Sequence, residues 1–237
     1  MEASGYTTLT RQSGLMNELR VVANNIANAA TTGYRQEGLI FSEYVKRIGD
    51  GASLSMAQGN IRNPSGIQGP LGQTGGRLDM AIEGDGYFLI ETPAGERLTR
   101  AGNFTLSAVG DLVTPDGFRV LDAGGAPVFV PPDITDPGIS PDGTLSDGDR
   151  PLAQIGIVRP IEGADLLRED GVMFRAEGGV APAPEARILQ GFLEASNVDP
   201  IGQIARMIEV QRAYEMGQSF LDAENERMMN ALDTFTR

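Results

Sequence analysis

Carboxylates are the only abundant side chains in this sequence that could act as acids, bases or ligands. The 237 residues include 32 Asp and Glu against 19 Lys and Arg, and no Cys or His. Thiolate nucleophiles, imidazole bases, disulfides and the usual zinc ligands are therefore absent. Gly84-Asp85-Gly86, Asp142-Gly143 and Asp147-Gly148-Asp149 are the spacings that suggest a calcium loop or a carboxylate pair. None fits an EF-hand, which needs alternating oxygen ligands and a closing Glu. Asp-Gly at the end of a β-rich run is turn chemistry. A glycosidase would need two carboxyl groups converging on one cleft, and no spacing here marks such a pair. Phosphate-binding and nucleophile-elbow motifs are also missing. The reading is of a non-enzyme with no cofactor, no metal and no small-molecule substrate.

Charge narrows the choice of partner. A formal net charge of −13 opposes a phosphate-neutralising surface, so no nucleic acid is expected. The first 37 residues balance three Arg against three Glu, and most of the acidity lies in the central segment. Lys46 is the one lysine among the basic residues. No apolar run approaches the ~18 residues that span a bilayer. The opening MEASGYTTLTRQSGLMNELR lacks a basic start and a continuous apolar stretch, so a cleavable Sec-type signal is not expected.

The elements that must position these groups follow from periodicity. Leu15, Leu19, Val22 and Ile26 are spaced by four, three and four residues, which predicts a helical seam ending near Thr31-Thr32-Gly33. Residues 36–76 read as an extended Gly-rich linker, with Gly at 66, 69, 72 and 75. Residues 77–190 read as a β domain of short runs such as YFLIET, FRVLD and QIGIVRP, separated by Asp-Gly and Pro-Ala-Gly turns. The expected architecture is a hairpin-rich sandwich or barrel-like body. Residues 191–237 then carry a helix, with Asp199 as cap and Pro200 as first helical residue. Met207, Tyr214, Leu221, Met228 and Phe235 recur every seven residues, with Ile204 beside them, which is a coiled-coil signal. The fold class is a mainly β centre flanked by N- and C-terminal α-helices that form a coiled-coil layer, with 191–237 packing on 1–35. A long helix with one apolar stripe needs a partner face, either within the chain or on a neighbouring subunit.

Several strings resemble one family. Ala23–Arg35 (ANNIANAATTGYR) is similar to the N-terminal signature of bacterial flagellar rod and hook proteins. SNVDP (196–200) and MIEVQRAYEM (207–216) resemble their C-terminal signature. Residues 74–90 and 98–121 resemble their shared central module, and RLDMAIEGDGYF points to a proximal-rod member. The resemblance implies a structural subunit of the basal-body rod, a polymer that links the membrane rotor to the hook. It further implies passage through the flagellar type III export apparatus, a periplasmic location, and partners that are neighbouring copies and other rod proteins. Leu15, Leu19, Val22, Asn24, Asn25, Ile26, Asn28, Gly33, Tyr34, Ile204, Met207, Tyr214, Leu221, Met228 and Phe235 are then the expected subunit-interface residues. An Asn amide can bridge main chains by donating and accepting at once. Two alternatives stay open at this point: a distal-rod subunit of the same family, and an extracytoplasmic binding or adhesion module with a helical stalk.

Overall fold

The computed structural model describes residues 2–46, 54–134 and 136–235. The chain divides into two compact units. The helical unit is built from Met1–Ala27, Glu37–Asn63 and Asp199–Arg237, and the β-rich unit from Asn28–Gln36 and Pro64–Val198.

In the helical unit, α1 (Glu2–Ala27) and α2 (Pro200–Phe235) accompany a two-stranded sheet of β1 (Glu37–Lys46) and β2 (Leu54–Pro64). The cap of α2 is as expected. Asp199 Oδ1 accepts from the Ile201 amide at 3.1 Å, and the Asp199 carbonyl accepts from Gln203 at 3.0 Å. This satisfies donors that the helix start leaves open. α1 stops at Ala27, six residues before Gly33. The Thr31 hydroxyl donates to Asn28 Oδ1 and the Thr31 amide to the Asn28 carbonyl, local bonds that turn the backbone out of the helix. The span 36–76 holds β1, β2 and β3 (Leu71–Gln73) where an extended linker was expected. The run EGLIFSEYVK is rich in Ile, Phe, Tyr and Val, residue types that favour strands. Residues 47–53 of that span lie outside the described residues.

The β-rich unit is a stack of antiparallel sheets around β4 (Met80–Glu83), β5 (Tyr87–Thr92) and β6 (Gly95–Thr99). β5 is its centre, pairing with β6, with Arg119–Val120 and with Ile157–Pro160. Its run YFLI is apolar at every position because both faces are covered. Phe88 and Ile90 enter a core with Met80, Ile82, Leu112, Val120, Leu145 and Ile188. Tyr87 and Leu89 enter a second core with Leu98, Leu121, Val158 and Phe174. The largest sheet runs from Asp165–Asp170 at one end to Thr105–Leu106 at the other and stays open, so the barrel-like expectation is corrected. Strands of two residues at 105–106, 112–113 and 119–120 offer too few ladder bonds to carry closure. Two further sheets pair Arg187–Gln190 with β4 and Phe192–Glu194 with β3, and a three-stranded sheet joins Gly138–Ile139, Thr144–Asp147 and Arg150–Gln154.

Phe88 is fully buried and meets Phe104 edge to face at 5.1 Å. Phe88→Ala is expected to destabilise the β-rich unit by about 3–5 kcal/mol. Chemical denaturation of the full chain checks this; a loss under ~1 kcal/mol would mean that the core is not built around this strand.

Candidate functional site: a helical seam and a buried ion network

The helical unit presents a mixed seam. α2 turns Gln203, Met207, Val210, Tyr214, Gly217, Leu221 and Glu224 inward, a spacing of four and three repeated along the helix. α1 runs antiparallel to it, as three polar contacts show. Asn25 Nδ2 donates to Gln203 Oε1 at 3.1 Å. Glu18 receives Arg206, with Oε1 2.6 Å from Nη2. Gln12 Nε2 donates to the Tyr214 carbonyl at 2.9 Å. Gly217 leaves room for this contact, because a Cβ there would lie 2.4 Å from Gln12 Nε2 and displace the end of that side chain. Leu15, with Thr8, Arg11, Ala213, Met216 and Phe220, lines a groove of 380 Å³ between the helices.

The residues expected at an interface fall into three groups. Val22 and Asn25 are buried, and Leu15, Leu19, Ile26, Met207, Tyr214 and Leu221 are half-buried in the helical unit. Asn24, Ile204 and Met228 are exposed, and Phe235 is the last residue of α2. Asn28, Gly33 and Tyr34 belong to the β-rich unit, and Gly33 and Tyr34 are buried there. Asn25 uses both ends of its amide on one residue of its own chain, not on two main chains. Its Nδ2 donates to the Glu37 carbonyl at 2.9 Å and its Oδ1 accepts from the Glu37 amide at 3.0 Å.

Sequence reasoning missed the ion network in the β-rich unit. Glu194 is fully buried between two buried arginines. Arg35 Nε lies 2.9 Å from its Oε1, and Arg100 Nη1 lies 3.1 Å from its Oε2. The Gly69 amide also donates to Oε1 at 3.1 Å, and the Gly33 amide to the Glu194 carbonyl at 2.7 Å. Two cations face one anion, and carbonyl oxygens take up some of the other donors, while Arg35 Nη2 and Arg100 Nε make no hydrogen bond. Arg35 Nη1 reaches Gly66 and Ile67, both at 2.8 Å. Arg100 reaches the carbonyls of Ile82 at 3.1 Å and Gly84 at 2.6 Å. Burial pushes the Arg100 guanidinium below its ordinary range, Glu194 opposes that shift, and Arg35 adds to it.

The loop after α1 is fitted to this network. Gly33 has φ +70°, and a Cβ on it would sit 2.3 Å from the Ala101 nitrogen, so both handedness and space require glycine. Tyr34 is covered by the Arg168 guanidinium, 4.2 Å from its ring centroid. The same guanidinium donates to the Arg35 carbonyl and lies 4.6 Å from the Phe174 centroid. Asn197 then ties two segments together. Its Oδ1 accepts from the Gln36 amide at 2.6 Å and its Nδ2 donates to the Ile67 carbonyl at 2.7 Å.

Among the described residues no cluster of carboxylates is placed to hold a metal ion. This arrangement is built to hold chain segments in place.

Three family models match the chain in order. Residues 6–35 match a flagella basal body rod protein model. Residues 81–147 match the flagellar hook protein FlgE/F/G D1 domain. Residues 189–234 match the C-terminal region of flagellar basal body rod FlgEFG proteins. Each matched segment supplies one member of the buried network: Arg35, Arg100 and Glu194. The chain belongs to the flagellar rod and hook protein family. It is 40% identical to the basal-body rod protein FlgF of Caulobacter vibrioides, over 98% of both chains. The FlgF of Mesorhizobium japonicum is 38% identical, over 91% of this chain and 90% of its own. The FlgG of Bacillus subtilis is 32% identical, over 95% of this chain and 96% of its own.

Two outcomes follow from this geometry. Asn25→Ala leaves the buried amide and carbonyl of Glu37 without their partner, and should cost the helical unit about 1–3 kcal/mol. Circular dichroism during urea titration should show the helical signal lost earlier, and an unchanged midpoint would contradict the bridge. Burial raises the Tyr87 pKa above the ordinary 10.0, against the pull of Arg35 and Arg100. The protonated phenol is therefore favoured by folding. Its contribution is complete below about pH 10 and is lost as pH rises through the folded-state value. Tyr87→Phe should flatten the alkaline fall in stability, measured by denaturation at pH 9 to 11. An identical fall in both proteins would remove Tyr87 as its source.

Proposed function

We propose that this chain is a structural subunit of the proximal part of the flagellar basal-body rod. It polymerises through α1 and α2 with neighbouring copies and other rod proteins, forming the shaft that joins the rotor to the hook. The flagellar export apparatus delivers it to the periplasm, and its role is structural, not catalytic. Identities of 40% and 38% to two FlgF relatives, above the 32% to the FlgG of Bacillus subtilis, favour the proximal position, although a third FlgF, of Rhizobium meliloti, is 31% identical.

The apolar surface left on α2 is the observation that carries this reading. Ile201, Ile204 and Ile208 are 81%, 50% and 45% exposed on α2, outside the seam. Met228 continues the seam toward the C-terminus and is 46% exposed, with Met229 beside it at 58%. A polymer would cover such a stripe; burying one such side chain is worth roughly 1.5–3 kcal/mol. Repetition along a filament supplies the partner face that a single helical pair lacks.

The test is electron microscopy of basal bodies from a strain lacking this chain, complemented with the natural sequence or with Ile204→Glu/Ile208→Glu. The lacking strain should show no rod or a rod that stops short, and should not swim. The double variant should fold as a monomer yet fail to restore swimming. Complete rods in the absence of the chain would overturn the assignment.

A further inference from the structure

The β-rich unit is joined by the chain to the helical unit through three segments, 28–36, 64–70 and 192–198. All three meet at Glu194. The first is held by Arg35 on Glu194 Oε1 and by Gly33 on the Glu194 carbonyl. The second is held by Gly69 on Oε1, by Arg35 on the carbonyls of Gly66 and Ile67, and by the Ala195 amide on the Pro70 carbonyl at 2.9 Å. Cross-links bypass the carboxylate as well. The Ser65 amide donates to the Gln36 carbonyl at 2.7 Å, the Asn197 amide donates to the Tyr34 carbonyl at 3.3 Å, and the Asn197 side chain bridges Gln36 and Ile67. Arg100, on the far side of Glu194, fastens the cluster to the carbonyls of Ile82 and Gly84.

We infer that Glu194 is the pin of a single cooperative junction, in which the three connecting segments order together or not at all. The reason is electrostatic as well as geometric. Removing the carboxylate leaves two buried guanidiniums facing each other, and both are bonded to carbonyls of other segments, so neither can leave alone. The packing is equally mutual. A Cβ on Gly69 would lie 2.0 Å from the Ala195 carbonyl oxygen, so the second and third segments touch backbone to backbone. The inference itself does not depend on the rod reading, because it concerns the isolated chain.

Hydrogen–deuterium exchange of the full chain tests it. In Glu194→Gln, exchange should rise by roughly 100-fold in all three segments together, with strand Thr144–Asp147 unchanged. Asn197→Ala removes side-chain bridges but no charge, and should give the same three-segment pattern at about tenfold. Faster exchange confined to the substituted segment would overturn the inference. So would no change, or an equal rise in Thr144–Asp147. If Glu194→Gln fails to fold, the Asn197→Ala pattern decides on the same criteria.

Discussion

One carboxylate with almost no access to solvent sets the terms for the β-rich unit. Glu194 sits between Arg35 and Arg100, both 1% exposed. Two positive charges against one negative leave the buried site short of counter-charge, and main-chain carbonyls supply part of the remainder. That requirement explains why Gly66, Ile67, Ile82 and Gly84 are placed with their carbonyls facing the network. It also explains the glycine at 69, where the backbone passes too close to Ala195 for any side chain. Breaking a buried pair of this kind costs about 3–5 kcal/mol, a large part of a domain's net stability.

The helical unit is held differently. Its seam alternates apolar contacts with polar ones such as Asn25 on Gln203 and Glu18 on Arg206. Polar seam residues fix register and give up some stability. The unit also keeps isoleucines of α2 in water. A helical pair with that balance is suited to association with further copies. The β-rich unit, by contrast, buries both faces of its central strand within the chain.

The parts legible in the sequence are those set by local chemistry. Asp199 and Pro200 announced the start of α2, and the seven-residue line through Met207, Tyr214 and Leu221 marked its inner face. Gly33 was readable as a left-handed position, and β5 and β6 as strands. Long-range chemistry was not legible. Arg35, Arg100 and Glu194 stand far apart in sequence, and each alone reads as a solvated surface charge. The Gly-rich run was read as a linker because its period has no local meaning; its glycines at 66 and 69 meet residues far away in sequence. Gln12, Glu18, Gln203 and Arg206 were missed because an apolar repeat does not reveal which polar side chains flank it. Arg35 closing the first signature string and Glu194 preceding the second were the available hints.

The absence of cysteine makes the central claim open to a direct measurement. Single cysteines can be placed at Ile204, at Met228 and, as a control on the β-rich surface, at Asp149, and basal bodies treated with a short bifunctional thiol reagent. If the exposed apolar residues of α2 pack against neighbouring subunits in the rod, Ile204→Cys and Met228→Cys should give cross-linked species while Asp149→Cys stays monomeric. Monomers at both helix positions, in basal bodies that retain intact rods containing this chain, would contradict polymerisation through the terminal helices.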